Sequence, residues 1–459
     1  MAKKDSIRNA TPGLGFRIFK LYVRVFYGKL YFRRVHALNL TNIPRNCPLM
    51  IVSNHQNGVC DPLGILLSGH PRKERKPKCL VRADVFTVPV LKSIVRWLGL
   101  LPAYRISHDG AESLANNAGT FRETEDELLK DGTVILFPEA KHQDKRWLGK
   151  FSLAYLHILF KAAEKTGFEK ELFVLPSCNH YSDYFGLGEE MLVSFGTPVS
   201  IAPYYRLYKT KPRTAQRQVN ELVRQQISEM MLNITDLNNY AAIDYLRNTY
   251  GVRYAKENGF NPDYLPDKLL ADKQLFHRLE AAKAADETRI GQIYEQVHAL
   301  KEKTEQLGIN DRHMDAKCSI WQITGEGVAG IVLFPVLLIS LIPNLLILFV
   351  PQAIAAKIKD PMMRSTIYLS ANILFIFPLS YFLVFEFSRL ITKNLPFSLL
   401  YAFGIPFFGI FVLNYHKRWK CWKSRRQVYR LRKNRKKDDL ISLRSRIFES
   451  LDQILKQMN

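Results

Sequence analysis

A chain of 459 residues is long enough for two or three domains, and its 47% hydrophobic and 12% aromatic content excludes a disordered polymer. The net charge of +24 points to an anionic partner. No helix-turn-helix, zinc-finger or single-strand-binding pattern accompanies that charge, which excludes nucleic acid and leaves the acidic face of a membrane.

Taken from the N-terminus, residues 13–34 interleave Phe and Tyr with Arg and Lys, too charged for a membrane span. Two readings stand: a helix lying in the lipid headgroup layer, or an aromatic-rich core helix of the domain that follows. No apolar core with a small-residue cleavage site is present there, so no secretory signal is expected. Residues 35–212 read as a compact α/β domain. Short apolar runs predict strands at Leu49–Ser53, Cys79–Arg82, Thr133–Phe137, Leu172–Pro176 and Met191–Phe195, alternating with helices over 61–68, 88–98, 111–130 and 150–166. Such alternation implies a mixed, largely parallel sheet covered by helices.

Residues 213–318 read as a helical extension or stalk. It begins with an amphipathic helix (Val219, Leu222, Val223, Ile227, Met231) and continues as a bent hairpin near Gly291. A membrane region, 319–416, contains two apolar spans at 366–388 and 397–415, each near the roughly 20 residues a span needs. The segment 327–350 is also long enough, but Pro335 and Pro343-Asn344 interrupt it, so it is either re-entrant or kinked. From Lys417 to Lys437 there are twelve Lys or Arg and no acid, which makes 417–459 a basic cytoplasmic tail by the positive-inside rule. Two full spans and a re-entrant 327–350 keep that tail on the same face as the α/β domain, and this is the expected topology. The six scattered cysteines offer no disulfide framework and no metal cluster, as in a reducing cytoplasmic setting.

The chemistry concentrates in Ile51-Val-Ser-Asn-His-Gln-Asn-Gly-Val-Cys-Asp61, where a strand ends and a His and an Asp follow within one turn. An imidazole can take a proton from an attacking hydroxyl while a carboxylate fixes its tautomer and steadies the imidazolium. Further blocks follow in order: Gly99-Leu-Leu-Pro-Ala-Tyr-Arg105, Phe137-Pro-Glu-Ala-Lys-His142, Leu175-Pro176 and Phe195-Gly-Thr-Pro198. Cys60, beside the motif, is a covalent alternative, although a buried structural thiol is the plainer role. No Gly-x-Ser-x-Gly elbow is present.

In these blocks, together with the lead-in Val35-His-Ala-Leu-Asn-Leu-Thr-Asn-Ile-Pro44, the sequence resembles the glycerol-phosphate and lysophosphatidate acyltransferase family over about residues 35–205. The resemblance implies His55 as general base with Asp61 as its partner. It implies Arg105 as a ligand for the acceptor phosphate, Glu139 and Lys141 at the acceptor site, and Pro176 in the wall of the acyl pocket. Two departures stand out. Five residues, not four, separate His55 from Asp61, with Gly58 available to absorb the extra one. The third block has Ala140 in place of Gly and lacks the family's Arg, a charge that Lys141, Lys145 or Arg146 could supply.

The implied protein is a multi-pass membrane O-acyltransferase of phospholipid synthesis, its catalytic domain facing the cytoplasm. Its donor is an acyl thioester of coenzyme A or a carrier protein, its acceptor glycerol-3-phosphate or lysophosphatidate, and no further cofactor or metal is expected. A lyso-phospholipid or lyso-aminolipid acceptor is the alternative substrate. A non-catalytic membrane scaffold that keeps the domain is the alternative of a different kind.

Overall fold

A computed structural model describes residues 13–68, 76–87, 89–104, 115–139, 145–184, 186–315, 319–358, 361–433 and 439–457. The chain divides into two compact units, 1–233 with 358–370, and 234–357 with 371–459.

In the first unit, helix α1 (Leu14–Val25) runs into a wider helical turn at Phe26–Tyr31 and then strand β1 (Phe32–Leu38). The segment has two faces. Leu14, Ile18, Leu21 and Val25 form an exposed apolar stripe, while Phe16, Val23, Phe26, Tyr27 and Tyr31 are buried. There follow β2 (Leu49–Ser53), α2 (Cys60–Leu67), β3 (Lys78–Arg82), α3 (Pro89–Trp97), β4 (Leu100–Ala103), α4 (Asn117–Leu129) and β5 (Thr133–Leu136). Next come α5 (Ala154–Lys165), β6 (Phe173–Tyr181), β7 (Glu189–Phe195), β8 (Val199–Ser200), α6 (Tyr205–Thr210) and α7 (Pro212–Met230).

The strands form one eight-stranded sheet in the order β1-β7-β6-β2-β5-β3-β4, with β8 paired to β6. All pairings are parallel except those of β6 with β7 and β8. The expected α/β architecture is therefore present. β2 is central and buried along its whole length, which matches its unbroken apolar sequence. β6 runs five residues past the predicted Pro176 to Tyr181, because Ser177-Cys-Asn-His-Tyr181 pairs with β7 despite its polar composition. Pro176, which has no N–H to give, lies between the stretch paired with β8 and the stretch paired with β7.

The predicted domain boundary at residue 212 moves. Val219, Val223 and Ile227 of α7 are buried in the same core as Leu156, Leu159 and Phe160 of α5. An amphipathic helix must cover its apolar face, and α7 does so on the α/β unit rather than on a stalk.

The second unit holds α8 (Tyr240–Asn248), α9 (Tyr250–Glu257), α10 (Leu265–Ala285) and α11 (Glu287–Gln306). The α10–α11 break falls at Asp286, whose side chain caps α11 by accepting from Arg289 N, and not at Gly291, which is inside the helix. Next are α12 (Ile320–Leu341) and α13 (Leu345–Ala356), then α14 (Pro361–Ala371), which belongs to the first unit through Ser370, and α15 (Phe377–Thr392). The last two are α16 (Leu395–Lys433) and α17 (Asp439–Gln457).

Among the described residues, three helices are long and apolar enough to cross a membrane: Ile320–Ala356, Met363–Thr392 and Leu395–Lys433. The first passes Pro343 as one tight turn, Ile342–Asn344, flanked by helical residues, so it is a kinked helix and not the re-entrant hairpin expected. Asn344 stabilises the kink by donating to the Ser340 and Ile405 carbonyls.

The basic tail is helical in its described residues. Its first part continues α16 as helix, and α17 folds back through Arg444, which pairs with Asp311 and Asp315, and through Asp452, which accepts from Tyr250 and Arg253.

Candidate active site

In parallel sheets the carboxyl ends of adjacent strands converge on one edge, where loops can bring side chains together. Val52 of β2 pairs with Leu136 of β5, and three residues beyond each lie His55 and Glu139. Register alone thus makes these two residues neighbours although 84 positions separate them in sequence.

His55 Nδ1 lies 2.7 Å from Asp61 Oδ2. With that nitrogen donating to the carboxylate, the lone pair sits on Nε2, the tautomer a general base requires. The imidazole is mostly buried and stacks on Phe137 at 4.7 Å between ring centres.

Asp61 is held from several sides. Gln56 N and Asn57 N donate to Oδ2 at 2.8 and 2.9 Å, and the Tyr181 hydroxyl donates to Oδ1 at 2.5 Å. A buried polar group needs such partners to replace the water it has lost. Asp61 lies in the first turn of α2, where the helix dipole also favours negative charge.

The extra residue between His55 and Asp61 is absorbed where the sequence suggested. Gly58 has φ +44°, a left-handed conformation open to glycine at little cost, and Cys60 N closes the turn on Asn57 O.

Glu139 is tied to backbone. Its Oε1 accepts from His55 N at 2.7 Å and its Oε2 from Gly149 N at 2.8 Å, so it fixes the main chain of His55 to the 145–150 loop. Burial pushes its carboxyl up to about 7, against the two N–H donors that pull it down. Pro176 lies beside Val52 in the sheet, buried, its ring near Gly196. Arg105, Ala140, Lys141 and His142 lie outside the described residues.

Of the cations offered as substitutes for the family's Arg, Arg146 is buried. It donates to the Tyr181 and Ser182 carbonyls and to His180 Nδ1, and it stacks over Tyr184. Tyr184 in turn donates to Gln56 Oε1, next to the base. Cys60 is buried, and burial together with the neighbouring Asp61 pushes its thiol far above the ordinary range, opposite to what a nucleophile needs. No group of three or more metal-ligating side chains occurs among the described residues.

Sequence reasoning missed Asn54, Asn179 and Tyr181. The Asn54 side chain binds the Asn179 backbone twice, Nδ2 donating to Asn179 O and Oδ1 accepting from Asn179 N, while Asn179 Nδ2 donates to Ser53 Oγ; together they lock the end of β2 to β6. The one signal available was a polar run directly after a predicted strand, at Ser177–Tyr181.

Residues 34–178 match the acyltransferase family model. Over that segment, under a third of the chain, the protein is similar to acyltransferases, which supports acyl transfer in general. The matched range contains His55, Asp61 and Glu139 and ends three residues before Tyr181. No curated protein matches the chain.

Proposed function

We propose that this protein is a membrane-bound O-acyltransferase that moves a fatty acyl group from an acyl thioester to a hydroxyl of a glycerol phosphate acceptor, glycerol-3-phosphate or lysophosphatidate. The observation that carries the reading is the His55–Asp61 pair, kept at 2.7 Å despite the longer turn between the two residues. A scaffold with no reaction to run has no need of a buried carboxylate aimed at an imidazole by three further donors.

In the proposed reaction His55 Nε2 takes the proton of the acceptor hydroxyl as its oxygen attacks the thioester carbonyl. The tetrahedral intermediate collapses with cleavage of the C–S bond, and the imidazolium returns its proton to the departing thiolate. Asp61 stays ionised and steadies the imidazolium between the two steps. Much of the rate comes from holding base, hydroxyl and carbonyl in line. Arg105 and Lys141 are proposed as ligands of the acceptor phosphate, the guanidinium engaging two oxygens. The apolar helices of residues 320–415 are proposed to lie in the bilayer, with the catalytic domain on the cytoplasmic face, where acyl thioesters are made; because α17 after them pairs with residues 250–315 before them, an even number of the three crosses fully.

The test uses the full chain in lipid nanodiscs with palmitoyl-CoA and, separately, glycerol-3-phosphate, lysophosphatidate, a lyso-phospholipid and a lyso-aminolipid. Products are read by mass spectrometry beside those of His55→Ala. Acylation of a glycerol phosphate that His55→Ala abolishes supports the proposal. His55-dependent acylation of the lyso-lipids alone moves the acceptor to the alternative class. No transfer to any acceptor from either a CoA or a carrier-protein thioester favours the scaffold.

A further inference from the structure

A turn lengthened by one residue has more conformations to lose, so something must hold it in the one that points Asp61 at His55. In this chain two side chains from more than 300 residues away do so. Ser365 Oγ donates to Asn57 Oδ1 at 2.5 Å, and Thr366 Oγ1 accepts from Val59 N at 3.1 Å. Both come from the first turns of α14, in the same compact unit as the dyad.

Asn57 is the pivot. Its backbone N–H is on Asp61, its amide nitrogen donates to Tyr184 O, and its amide oxygen takes the Ser365 hydroxyl. Between the two clasped residues lies Gly58, so close to the clasp that a Cβ there would meet Thr366 Oγ1 at 1.8 Å. Nearby, Tyr368 packs against Tyr31, which completes the wall behind the turn.

We propose that Ser365 and Thr366 are positioning residues of the active site, clasping Asn57–Val59 so that Asp61 orients His55. The proposal rests on the reading of His55 and Asp61 as the dyad. It makes the start of Met363–Thr392, a helix long and apolar enough to span a membrane, a working part of the catalytic centre. Neither residue touches the reacting atoms; both act through the turn.

The experiment measures kcat and KM for palmitoyl-CoA on full-length protein, normalised to folded enzyme, for wild type, Thr366→Val, Thr366→Ser, Ser365→Ala and His55→Ala. Thr366→Val keeps the shape and removes the acceptor, so kcat should fall roughly tenfold with KM unchanged, the scale of one lost hydrogen bond. Thr366→Ser should restore kcat, because it returns the oxygen. Ser365→Ala should lower kcat in the same way. Unchanged kcat in both Thr366→Val and Ser365→Ala overturns the clasp. So does a loss of melting temperature with kcat per folded enzyme intact, which is what mere packing gives. If His55→Ala itself retains activity, the dyad reading has failed, and that failure is distinct from the failure of the clasp.

Discussion

The His55–Asp61 turn and the apolar helices of residues 320–415 solve the same problem with opposite surfaces. Around the turn, polar groups are buried inside an apolar sheet core: Asp61, Asn54, Asn57 and Asn179 are each at most 2% exposed and each is hydrogen-bonded. In the apolar helices, Ile331 and Leu400 are both 70% exposed, whereas Asn344 is 3% and Ser398 0% exposed. A water-facing fold hides its apolar atoms and tolerates buried polar groups only where they work. The exposed leucines and buried polar side chains of these helices are the pattern expected of a surface that faces hydrocarbon, where hiding leucine gains nothing and small and polar side chains go to the helix contacts. Buried polar groups order the His55–Asp61 turn and the strand ends beside it in the first region, and join helix to helix in the second.

The sharpest way to break the contrast is to remove the imidazole proposed as the general base. His55→Ala should lower kcat by roughly 10² to 10⁴-fold while the fold persists, the usual contribution of a general base. Asp61→Asn should cost less, since it disturbs orientation and charge only. A His55→Ala enzyme with more than about a tenth of wild-type activity is outside that range and refutes the assignment.

The second region breaks in the opposite direction, by placing charge on its surface. Phe407 is 61% exposed on α16. Phe407→Asp should prevent stable membrane integration, at about 2.5 to 3.5 kcal/mol for an acid at the centre of a span. Carbonate extraction of membranes reads this directly. A variant that stays in the pellet as wild type does would mean that α16 does not face lipid at that point.

Glu139 gives a pH signature to the buried polar cluster. Its folded-state value of about 7 lies above the ordinary 4.5. The stability linked to it is therefore present below the ordinary value and lost as pH rises through the folded one. Glu139→Gln does not titrate. The melting-temperature advantage of wild type over this variant should narrow from about pH 5 to about pH 8. A widening gap would mean that the carboxylate is held ionised by its two N–H donors.

Smaller effects sharpen the distinction. Tyr181→Phe removes the hydroxyl on Asp61 Oδ1 and should reduce kcat about tenfold, within the range for a hydrogen bond to a charged group. Asn344→Leu removes donors to Ser340 O and Ile405 O. It should weaken helix packing by only about 0.6 to 1.7 kcal/mol, the scale of polar contacts between membrane helices. Thermal unfolding in lipid measures it, with acyl transfer unaffected below the transition. An Asn344→Leu loss larger than that of Tyr181→Phe would reverse the ranking drawn here.

The sequence by itself determined the local features. The apolar run Leu49–Ser53 had to be a buried strand, and the His and Asp beyond it had to lie within one turn of each other. The alternation of short strands with helices made the sheet largely parallel, and the apolar length of 320–415 made helices of spanning size. Each follows from periodicity or spacing within about twenty residues, the range over which backbone geometry carries information along the chain. The tertiary structure decided what depends on register and on distant approach. Strand pairing put Glu139 on the backbone of His55, and the polar extension of β6 delivered Tyr181 to Asp61. The apolar face of α7 joined the catalytic core, the tail folded back as α17, and 320–356 kinked at Pro343 without reversing. Ser365 and Thr366 reached the catalytic turn across more than 300 residues. A hydroxyl on an apolar helix has no local pattern that names its partner; only the folded chain, by bringing the two segments within hydrogen-bonding distance, gives it one.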